Sequence, residues 1–446
     1  MLTTTDADVR KAYSADVSGL VLVPDAVARP GAAEEVRELL RQASADRTPV
    51  TPAGGQTSTT GASITDAGML LSMRAMTRIV DVDVAAGVAV VEPGVLLGDL
   101  NRELAPHGLM FAPDPTSLDD VTVGGAIACN ASGARSLLYG ATRPHVRGLT
   151  VALASGESIE VRRSGLEKNT VGYAMAQEPV DWFVGSEGTL GVITRAELSL
   201  VPLPTSVIGL AIPFPDEEAA LRCVVAIREG APEGREPRAV RCVEYFDALA
   251  AAIAGQGDRP LLYVERNGES GLDEWLAVLE QDGAVADDIQ VFEGDAALRE
   301  ARKFRHAIPA TMNERGSGRR AQGGRKVSTD WAVPYRRLAG AIAHARQVVA
   351  DNGLEQPVIY GHAGNGHPHQ NFIASDADEL ARIELVVERT LKDVLSMDGT
   401  VSAEHGIGKI KKRWLPLQLT PMQIGVMRAV KHELDPLGLL APGNIL

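Results

Sequence analysis

The sequence is poor in cysteine, in aromatic residues and in long apolar runs. Its three cysteines, Cys129, Cys223 and Cys242, form no C-x-x-C pair, which argues against a disulfide framework and favours a reducing compartment. No stretch approaches about 18 uninterrupted apolar residues, so no membrane span is predicted. The N-terminal residues carry acids early and lack the apolar segment of a secretory signal. We therefore expect a cytoplasmic protein.

Net positive charge is also missing. The chain has 44 Lys and Arg residues against 58 Asp and Glu residues, a formal net charge of −14. This balance argues against nucleic acid or an anionic membrane as the main partner, although a few local cations can still bind an anionic substrate. The 446 residues exceed the usual size of one hydrophobic core, so two or more domains are expected.

The pattern of strands and helices changes at Val201-Pro-Leu-Pro204, which predicts a domain boundary. Before it, strands alternate with Gly-rich loops. After it, two strand–helix–strand units predict a ferredoxin-like α+β layout. Their predicted segments are 208–214, 217–228 and 239–243, then 260–265, 272–281 and 288–292. Further helices are predicted over 335–351, 377–397 and 422–434.

The first Gly-rich loop reads VTPAGGQTSTTG over residues 50–61. Small residues let successive backbone N–H groups face one anion, and the hydroxyls add donors, so a diphosphate suits this loop. No Lys precedes the Thr/Ser pair, so it is not a Walker A loop, and it is not G-x-G-x-x-G. Taken alone, it is equally compatible with a plain surface turn.

Two further clusters have the same chemistry. They read PDPTS at 113–117, TVGG at 122–125, NASG at 130–133 and YG at 139–140, then GSEGTLGVIT at 185–194. In this order, over roughly residues 14–204, the segments resemble the FAD-binding domain of the vanillyl-alcohol oxidase/PCMH family of flavoproteins. The resemblance implies that the first loop and the T-x-G-G segment hold the diphosphate, while the last segment runs beside the flavin and adenosine. The implied FAD-binding residues are Pro52, Gly54, Gly55, Gln56, Thr57, Ser58, Pro115, Thr116, Thr122, Gly125, Asn130, Ser132, Gly133, Tyr139, Glu187, Gly188, Val192, Ile193 and Asn444.

Two positions depart from the pattern of that family. Some relatives attach FAD covalently through a histidine in or near the first loop, where this chain has Gln56. We therefore expect non-covalent FAD. Ala53 replaces the usual arginine after the loop's proline, which we expect to loosen local packing without removing the phosphate site.

Four of the nine histidines lie in two short segments. His362, His367 and His369 lie in GHAGNGHPHQN at 361–371, and His405 lies in SAEHGIG at 402–408. A strand–loop–strand is predicted around residues 361–372, and the density of histidines beside glycine predicts that they lie in a loop rather than in a core strand. Imidazoles with a carboxylate suit Zn²⁺ or Mn²⁺. A solvated His-rich loop is the alternative.

These segments resemble the C-terminal part of a group that comprises D-lactate dehydrogenase, the flavin subunit of glycolate oxidase and D-2-hydroxyglutarate dehydrogenase. The motif of that group is G-H-x-G-D-G-N-x-H, followed about a helix later by E-H-G-x-G. The resemblance implies His362, His369 and Glu404 as metal ligands and His405 as the catalytic base. The closing segment 434–443 also fits the group.

The motif itself contains two departures. Asn365 replaces the usual aspartate, which removes a negative charge that could orient a ligand. His367 replaces the usual asparagine, and we interpret it as a substrate contact, with a surplus metal ligand as the alternative.

The implied reaction is FAD-dependent oxidation of a small D-2-hydroxy acid, such as D-lactate, glycolate or D-2-hydroxyglutarate, to the 2-oxo acid. His405 would accept the hydroxyl proton, the Cα hydride would pass to flavin N5, and a divalent metal would bind the substrate. Arg305, on a predicted helix over 297–307, fits the relatives' carboxylate-binding arginine; a solvated basic face is the alternative. Lys326 fits a second cation, although its distance from the following Asp and Pro differs by two residues.

These observations predict an α+β protein with three parts: a PCMH-type FAD-binding domain over 1–204, a ferredoxin-like substrate (cap) domain with the metal and catalytic loops over 205–408, and a C-terminal helical segment over 409–446 that packs back on the FAD domain. Two alternatives stay open. One is the flavin subunit of a multi-subunit electron-transfer complex of the glycolate oxidase type. The other is a flavin-dependent alkyl transferase, against which the 4% aromatic content argues. The electron acceptor, whether a quinone, a cytochrome or an electron-transfer flavoprotein, is left open, and a homodimer is the family-level expectation.

Overall fold

The computed structural model describes residues 3–230, 240–268 and 272–446, leaving out the side chains of residues 273, 274, 278 and 295. The chain forms two compact units. Unit 1 comprises Met1–Ser132, Gly140–Leu203 and Glu404–Leu446, and unit 2 comprises Gly133–Tyr139 and Pro204–Ala403. Glu404 and His405 therefore belong to unit 1, whereas the predicted cap domain ran to residue 408.

Strands occur throughout both units. In chain order they are β1 Thr3–Thr4, β2 Ala26–Ala28, β3 Val50–Ala53, β4 Met69–Ser72, β5 Ile79–Asp83, β6 Val88–Val91, β7 Leu109–Met110, β8 Val146–Ala152, β9 Ser158–Arg162, β10 Val192–Ser199, β11 Val201–Pro202, β12 Val207–Pro213, β13 Val240–Phe246, β14 Leu261–Asn267, β15 Gln290–Glu293, β16 Lys326–Ser328, β17 Val358–His362 and β18 His367–Ile373. Unit 1 contains sheets of order β1-β2-β4-β3 and β5-β6-β10-β8-β9 and the pair β11-β7.

The helices lie between these strands and after them. They are α1 Ala7–Ala12, α2 Ala33–Asp46, α3 Leu97–Leu104, α4 Val123–Cys129, α5 Ser136–Tyr139, α6 Ala174–Gln177, α7 Val180–Phe183, α8 Glu217–Glu229, α9 Ala248–Ile253, α10 Leu272–Gln281, α11 Gly294–Ser317, α12 Leu338–Asp351, α13 Ala377–Ser396, α14 Leu415–Gln418 and α15 Pro421–Leu434. In the part of the chain described, no helix combines the length and the apolar character needed to cross a membrane.

In unit 1, helix α2 buries one apolar stripe. Val36, Leu39 and Leu40 recur at helical spacing and pack in a core shared with strand β4. Leu440, near the C-terminus, belongs to the same core and forms a parallel bridge with Val50 at the start of β3. The last residues of the chain are thus part of the unit that its first two hundred residues build.

Unit 2 contains a seven-stranded sheet of order β15-β12-β14-β13-β17-β18-β16, antiparallel at every pairing. The first four positions of this sheet are occupied by β15, β12, β14 and β13, which are the fourth, first, third and second of these strands along the chain. Helix α8 connects β12 to β13, and α10 connects β14 to β15. This is the β-α-β-β-α-β ferredoxin-like arrangement. The predicted α+β fold is confirmed.

Two elements of unit 2 continue three residues or more beyond their predicted ends. The helix predicted over 297–307 is α11, which continues through Pro309 to Ser317. Proline removes one backbone hydrogen bond, but Phe304, Ile308 and Met312 bury the same face of α11 in the core and keep the helix continuous. The strand predicted over 239–243 is β13, which continues to Phe246; Ala239 lies outside the described residues.

Candidate active site

The hairpin of β17 and β18 carries three histidines on one face. His362 pairs across the strands with His367, and His369 follows two residues later, so all three side chains point the same way. A tight turn at Ala363–Asn365 joins the strands, and Gly366 closes it at φ +69°. The histidines are only 3%, 4% and 7% exposed. The predicted strand–loop–strand is present, but the prediction that the histidines lie in its loop is wrong, because His362, His367 and His369 are buried strand residues.

Each imidazole has a polar partner, which is what makes its burial possible. His362 Nδ1 lies 2.7 Å from Glu244 Oε1, and His369 Nδ1 lies 3.1 Å from the carbonyl oxygen of Thr329. His367 Nε2 lies 3.0 Å from Asp330 Oδ1. A carboxylate or carbonyl at Nδ1 fixes the ring and presents Nε2 to a metal. Two of the three rings are held in this way.

The spacing of these rings suits a metal ion. Ligand nitrogens of His362, His367 and His369 all lie within 4.8 Å of one another. Zn–N bonds are about 2.0–2.1 Å long, so two nitrogens of one tetrahedral zinc lie about 3.4 Å apart. Imidazole nitrogens gathered within 4.8 Å of one another are the kind of donor set that Zn²⁺ and Mn²⁺ accept. The residues present therefore fit Zn²⁺ or Mn²⁺.

Two carboxylates of this cluster were not predicted from the sequence. Glu244 lies in β13 and Asp330 follows β16, whereas Asn365, which replaces the aspartate of the family's motif, is exposed at the turn. A charged residue inside an apolar strand, as in VRCVEYF over 240–246, was the available signal for Glu244. Its partner His362 lies 118 residues away, so no local pattern could pair them.

Of the two predicted substrate cations, only Arg305 lies among these residues. Its Nε is 2.7 Å from Glu244 Oε2, and its Nη2 is 3.3 Å from His362 Nδ1. Lys326 stands opposite Ile373 in the sheet, four residues beyond His369 and so about 13 Å along the strand. Its Nζ donates to Asn313 Oδ1 at 2.9 Å, and burial lowers its pKa to about 8.

In unit 1, Glu404 and His405 are followed by an irregular backbone segment. Adjacent residues of a regular strand point to opposite faces, so both could face one site only from an irregular backbone. Gly406 and Gly408 have φ values of +72° and +51°. Glu187 accepts hydrogen bonds from the backbone N–H groups of Ile407 at 2.6 Å and Gly408 at 2.7 Å. Burial raises the pKa of Glu187, and these two hydrogen bonds oppose that rise. Glu187 therefore fixes the backbone immediately after His405.

The first two Gly-rich segments meet in unit 1. A Cβ on Gly54 would lie 2.3 Å from Thr122 Oγ1, and one on Gly55 would lie 2.0 Å from the carbonyl oxygen of Asp120. Only glycine allows this approach. Thr122 also caps α4 by accepting from the Gly125 N–H at 3.2 Å. The fold thus brings the predicted diphosphate-binding segments together.

The third segment joins them. A Cβ on Gly188 would lie 2.5 Å from Pro52 Cγ, so 185–194 packs against the first loop. Asn444 donates to the carbonyl oxygens of Ala62 at 2.8 Å and Glu187 at 3.1 Å. Gln56, at φ +56°, donates to the Tyr13 carbonyl oxygen at 3.0 Å.

The remaining predicted FAD-binding residues fall in several elements. Val192 and Ile193 begin β10, and Asn130 ends α4 in the left-handed region with φ +50°. The others are Thr57, Ser58, Pro115, Thr116 and Ser132 in unit 1 and Gly133 and Tyr139 in unit 2. Their individual roles stay predictions.

Comparison with known protein families decides which class of protein this is. Residues 24–162 match the family model described as "FAD binding domain", and residues 203–445 match that described as "FAD linked oxidases, C-terminal domain". The second match covers more than half of the chain. The chain belongs to the FAD linked oxidases. It is an FAD-linked oxidoreductase, and the predicted FAD-binding domain and family are confirmed.

Individual relatives of this FAD-linked oxidase cover almost all of it. It is 33% identical to the "Probable D-lactate dehydrogenase, mitochondrial" of Danio rerio, over 95% of this chain and 84% of that protein. It is 31% identical to the "Glycolate oxidase subunit GlcD" of Bacillus subtilis, over 95% of this chain and 89% of that one. The solved structure of p-cresol methylhydroxylase superposes with a TM-score of 0.73 at 16% identity, over 99% of this chain and 93% of that chain. This last likeness concerns the fold alone.

Proposed function

We propose that this FAD-linked oxidase oxidises a small D-2-hydroxy acid to the corresponding 2-oxo acid. The observation that supports this most is the contact of Arg305 with both Glu244 and His362, which puts a guanidinium group beside an imidazole of the histidine cluster. A 2-hydroxy acid offers a carboxylate to the guanidinium group and a hydroxyl group to a metal held by the imidazole. The names of the relatives, which include a D-lactate dehydrogenase and a glycolate oxidase subunit, support the same substrate class.

The residues have separate roles in this proposal. His362 and His369, with the carboxylate Glu404 predicted from the sequence, would hold a Zn²⁺ or Mn²⁺ ion, which supplies Lewis acidity toward a substrate hydroxyl. FAD, when bound, accepts the two electrons removed from the substrate. Arg305 binds the substrate carboxylate through its guanidinium group. His405 accepts the proton of the hydroxyl group at a ring nitrogen.

His367 is proposed as a substrate contact. Its Nε2 faces Asp330 at 3.0 Å, so this ring is already oriented by a carboxylate on the side away from its backbone. Lys326 remains a proposed second cation for the substrate carboxylate. FAD would be bound non-covalently by the three Gly-rich segments of unit 1.

The proposal is tested by anaerobic reduction of the flavin. Purified protein is mixed with D-lactate, glycolate and D-2-hydroxyglutarate, with the L-enantiomers as controls, and flavin absorbance is followed. We expect one of the D-acids or glycolate to bleach the flavin within seconds to minutes. His405→Ala should slow this bleaching while the bound FAD is retained. A flavin that stays oxidised with every acid would overturn the proposal.

One observation favours a second role. The Bacillus subtilis relative is named as a subunit, so this chain could supply the flavin within a larger electron-transfer assembly. Isolated protein that turns over with an artificial electron acceptor would oppose this role. Bleaching without turnover, together with co-purifying iron–sulfur subunits, would support it.

A further inference from the structure

Unit 2 contains a second buried group of charges, centred on Glu265 of β14. Arg135 donates to its carboxylate through Nε at 2.8 Å and Nη2 at 3.0 Å, and Tyr263 donates at 3.0 Å. Arg302 Nε lies 3.3 Å away and Arg241 Nη1 3.6 Å away. Three guanidinium groups therefore surround one carboxylate, an excess of two positive charges.

A β-bulge in β13 contributes to this excess of positive charge, because it adds Arg241 to the group. Cys242 pairs with Glu265, and the register of β13 shifts between Val240 and Cys242, so Arg241 is the extra residue of a bulge. A bulge re-aims a side chain that regular alternation would send to the opposite face of the sheet. Here the bulge brings Arg241 to Glu265, although a regular strand would have carried it away. Its Nε has no hydrogen-bond acceptor among the described residues.

Electrostatics of the group reflect the same excess. Burial lowers the pKa of Arg241, and the charge of Arg135 adds to this effect. Burial would raise the pKa of Glu265, but Arg135, Arg302 and Arg241 outweigh it and hold that pKa at about 2. Glu265 is thus fully ionised and still leaves the excess. A buried excess of charge is costly unless a counter-charge accompanies it. Arg302, whose side chain is 39% exposed, gives an anion access from solvent.

The position of this group relates it to Arg305. Arg302 and Arg305 are three residues apart on α11, so they lie on one face of the helix about 4.5 Å apart along its axis. In the sheet, Glu244 of β13 pairs with Tyr263 of β14. Glu265 lies two residues after Tyr263 on β14, so its side chain is on the same face of the sheet as that of Glu244. The Glu265 group thus lies one helical turn beyond the cation proposed for the reacting carboxylate.

We propose that Arg135, Arg241 and Arg302 form a subsite for a second carboxylate, so that the substrate is a short-chain 2-hydroxy dicarboxylate. This proposal depends on the proposed function only for the end of the substrate that carries the hydroxyl group. Arg241 and Arg135 hold the anion at the buried end, Arg302 closes over it from α11, and Glu265 keeps the three guanidinium groups together in its absence.

Binding can be tested without turnover. Glutarate has two carboxylates but no hydroxyl group, and butyrate has one carboxylate at similar length. We expect glutarate to raise the melting temperature of the FAD-loaded protein and to bind at least about tenfold more weakly to Arg302→Gln, since a charged hydrogen bond is lost. Lys303→Gln, an exposed neighbour paired with Glu300, is the matched control and should bind glutarate as the unaltered protein does. Glutarate binding that Arg302→Gln leaves unchanged would overturn the subsite.

Kinetics separate the subsite from the proposed function. Arg302→Gln should lower kcat/KM for D-2-hydroxyglutarate about tenfold or more and leave that for D-lactate within about twofold. Equal losses for both acids would mean that Arg302 is merely structural and would refute the subsite. If no hydroxy acid reduces the flavin but glutarate binds in the Arg302-dependent way, the subsite stands and the proposed function fails. If D-lactate is oxidised and glutarate does not bind, the proposed function stands and the subsite fails.

Discussion

At the scale of single residues, Glu244 connects the metal-binding and substrate-binding parts of the proposal. One oxygen lies 2.7 Å from His362 Nδ1 and the other 2.7 Å from Arg305 Nε. A single carboxylate therefore fixes the orientation of a proposed metal ligand and of a proposed substrate cation. Under the proposed function, such a side chain would affect metal binding and substrate binding without touching the reacting atoms.

Replacing Glu244 should weaken metal binding. In Glu244→Gln, a neutral amide faces His362 Nδ1, so the ring is less basic and less firmly oriented. Loss of such a partner typically costs 10–100-fold in metal affinity, and we expect that range here. The measurement is metal content after dialysis against graded chelator, with zinc and manganese titrated back.

Two variants complete that experiment. His369→Ala removes a proposed ligand and should lower bound metal and activity together. Glu229→Gln, an exposed carboxylate paired with Arg336, is the control and should match the unaltered protein. If Glu244→Gln retains metal as tightly as this control, Glu244 does not support a metal site.

Lys326 gives a pH prediction. Burial lowers its pKa from the ordinary value near 10.5 to about 8, so the amine is charged below pH 8 and neutral above it. If Lys326 binds the substrate carboxylate, kcat/KM should fall as the pH rises through about 8. Lys326→Arg stays charged at that pH, so its kcat/KM should not fall there. The same fall in both proteins would exclude Lys326 as its cause.

At the scale of secondary-structure elements, the turn between β17 and β18 sets the positions of the three histidines. Gly366 has φ +69°, and a Cβ there would lie 1.9 Å from the carbonyl oxygen of Val333. We expect Gly366→Ala to lower the free energy of unfolding by at least about 1–3 kcal/mol, from backbone strain and this clash. Urea unfolding followed by far-UV circular dichroism measures it.

Another glycine of unit 2 provides the control. Gly340 lies in helix α12, is exposed, and has no atom within 4 Å of an added Cβ. Gly340→Ala should therefore stabilise the protein by about 0.5–1 kcal/mol. Equal unfolding curves for the two variants would contradict the role assigned to the turn.

Elements with a local signal were predictable from the sequence. The strand–helix alternation after residue 204 reproduces the observed ferredoxin-like sheet. The hairpin histidines were predicted as loop residues from their density beside glycine. Their burial depends on Glu244 and Asp330, which lie far away in sequence. Helix α11 was predicted only over 297–307, whereas its tertiary packing maintains the helix through Pro309, where proline is locally unfavourable. Local patterns cannot contain these long-range contributions.

At the scale of the whole molecule, overall acidity and local basicity coexist. A formal net charge of −14 is spread over the chain, yet Arg135, Arg241, Arg302 and Arg305 meet at one face of the unit 2 sheet. An acidic surface opposes anions at long range, and this opposition is screened at physiological salt. Under the proposed function, recognition of an anionic substrate would therefore depend on these few guanidinium groups rather than on the net charge.

The chain's last segment completes its first unit, and this gives a prediction at the same scale. Leu440 is 1% exposed in the core built by α2, β3 and β4, whereas Leu437 is 46% exposed. Leu440→Ala should cost about 2–5 kcal/mol of stability by leaving a cavity, and Leu437→Ala should cost less than about 0.5 kcal/mol. Thermal unfolding of the two variants measures the difference.

The destabilisation should act on FAD as well. Because FAD binds the folded unit, Leu440→Ala should retain less flavin after gel filtration, and added FAD should raise its melting temperature by mass action. A Leu440→Ala protein that keeps its FAD and melts together with Leu437→Ala would show that the C-terminal segment contributes nothing to the stability of unit 1.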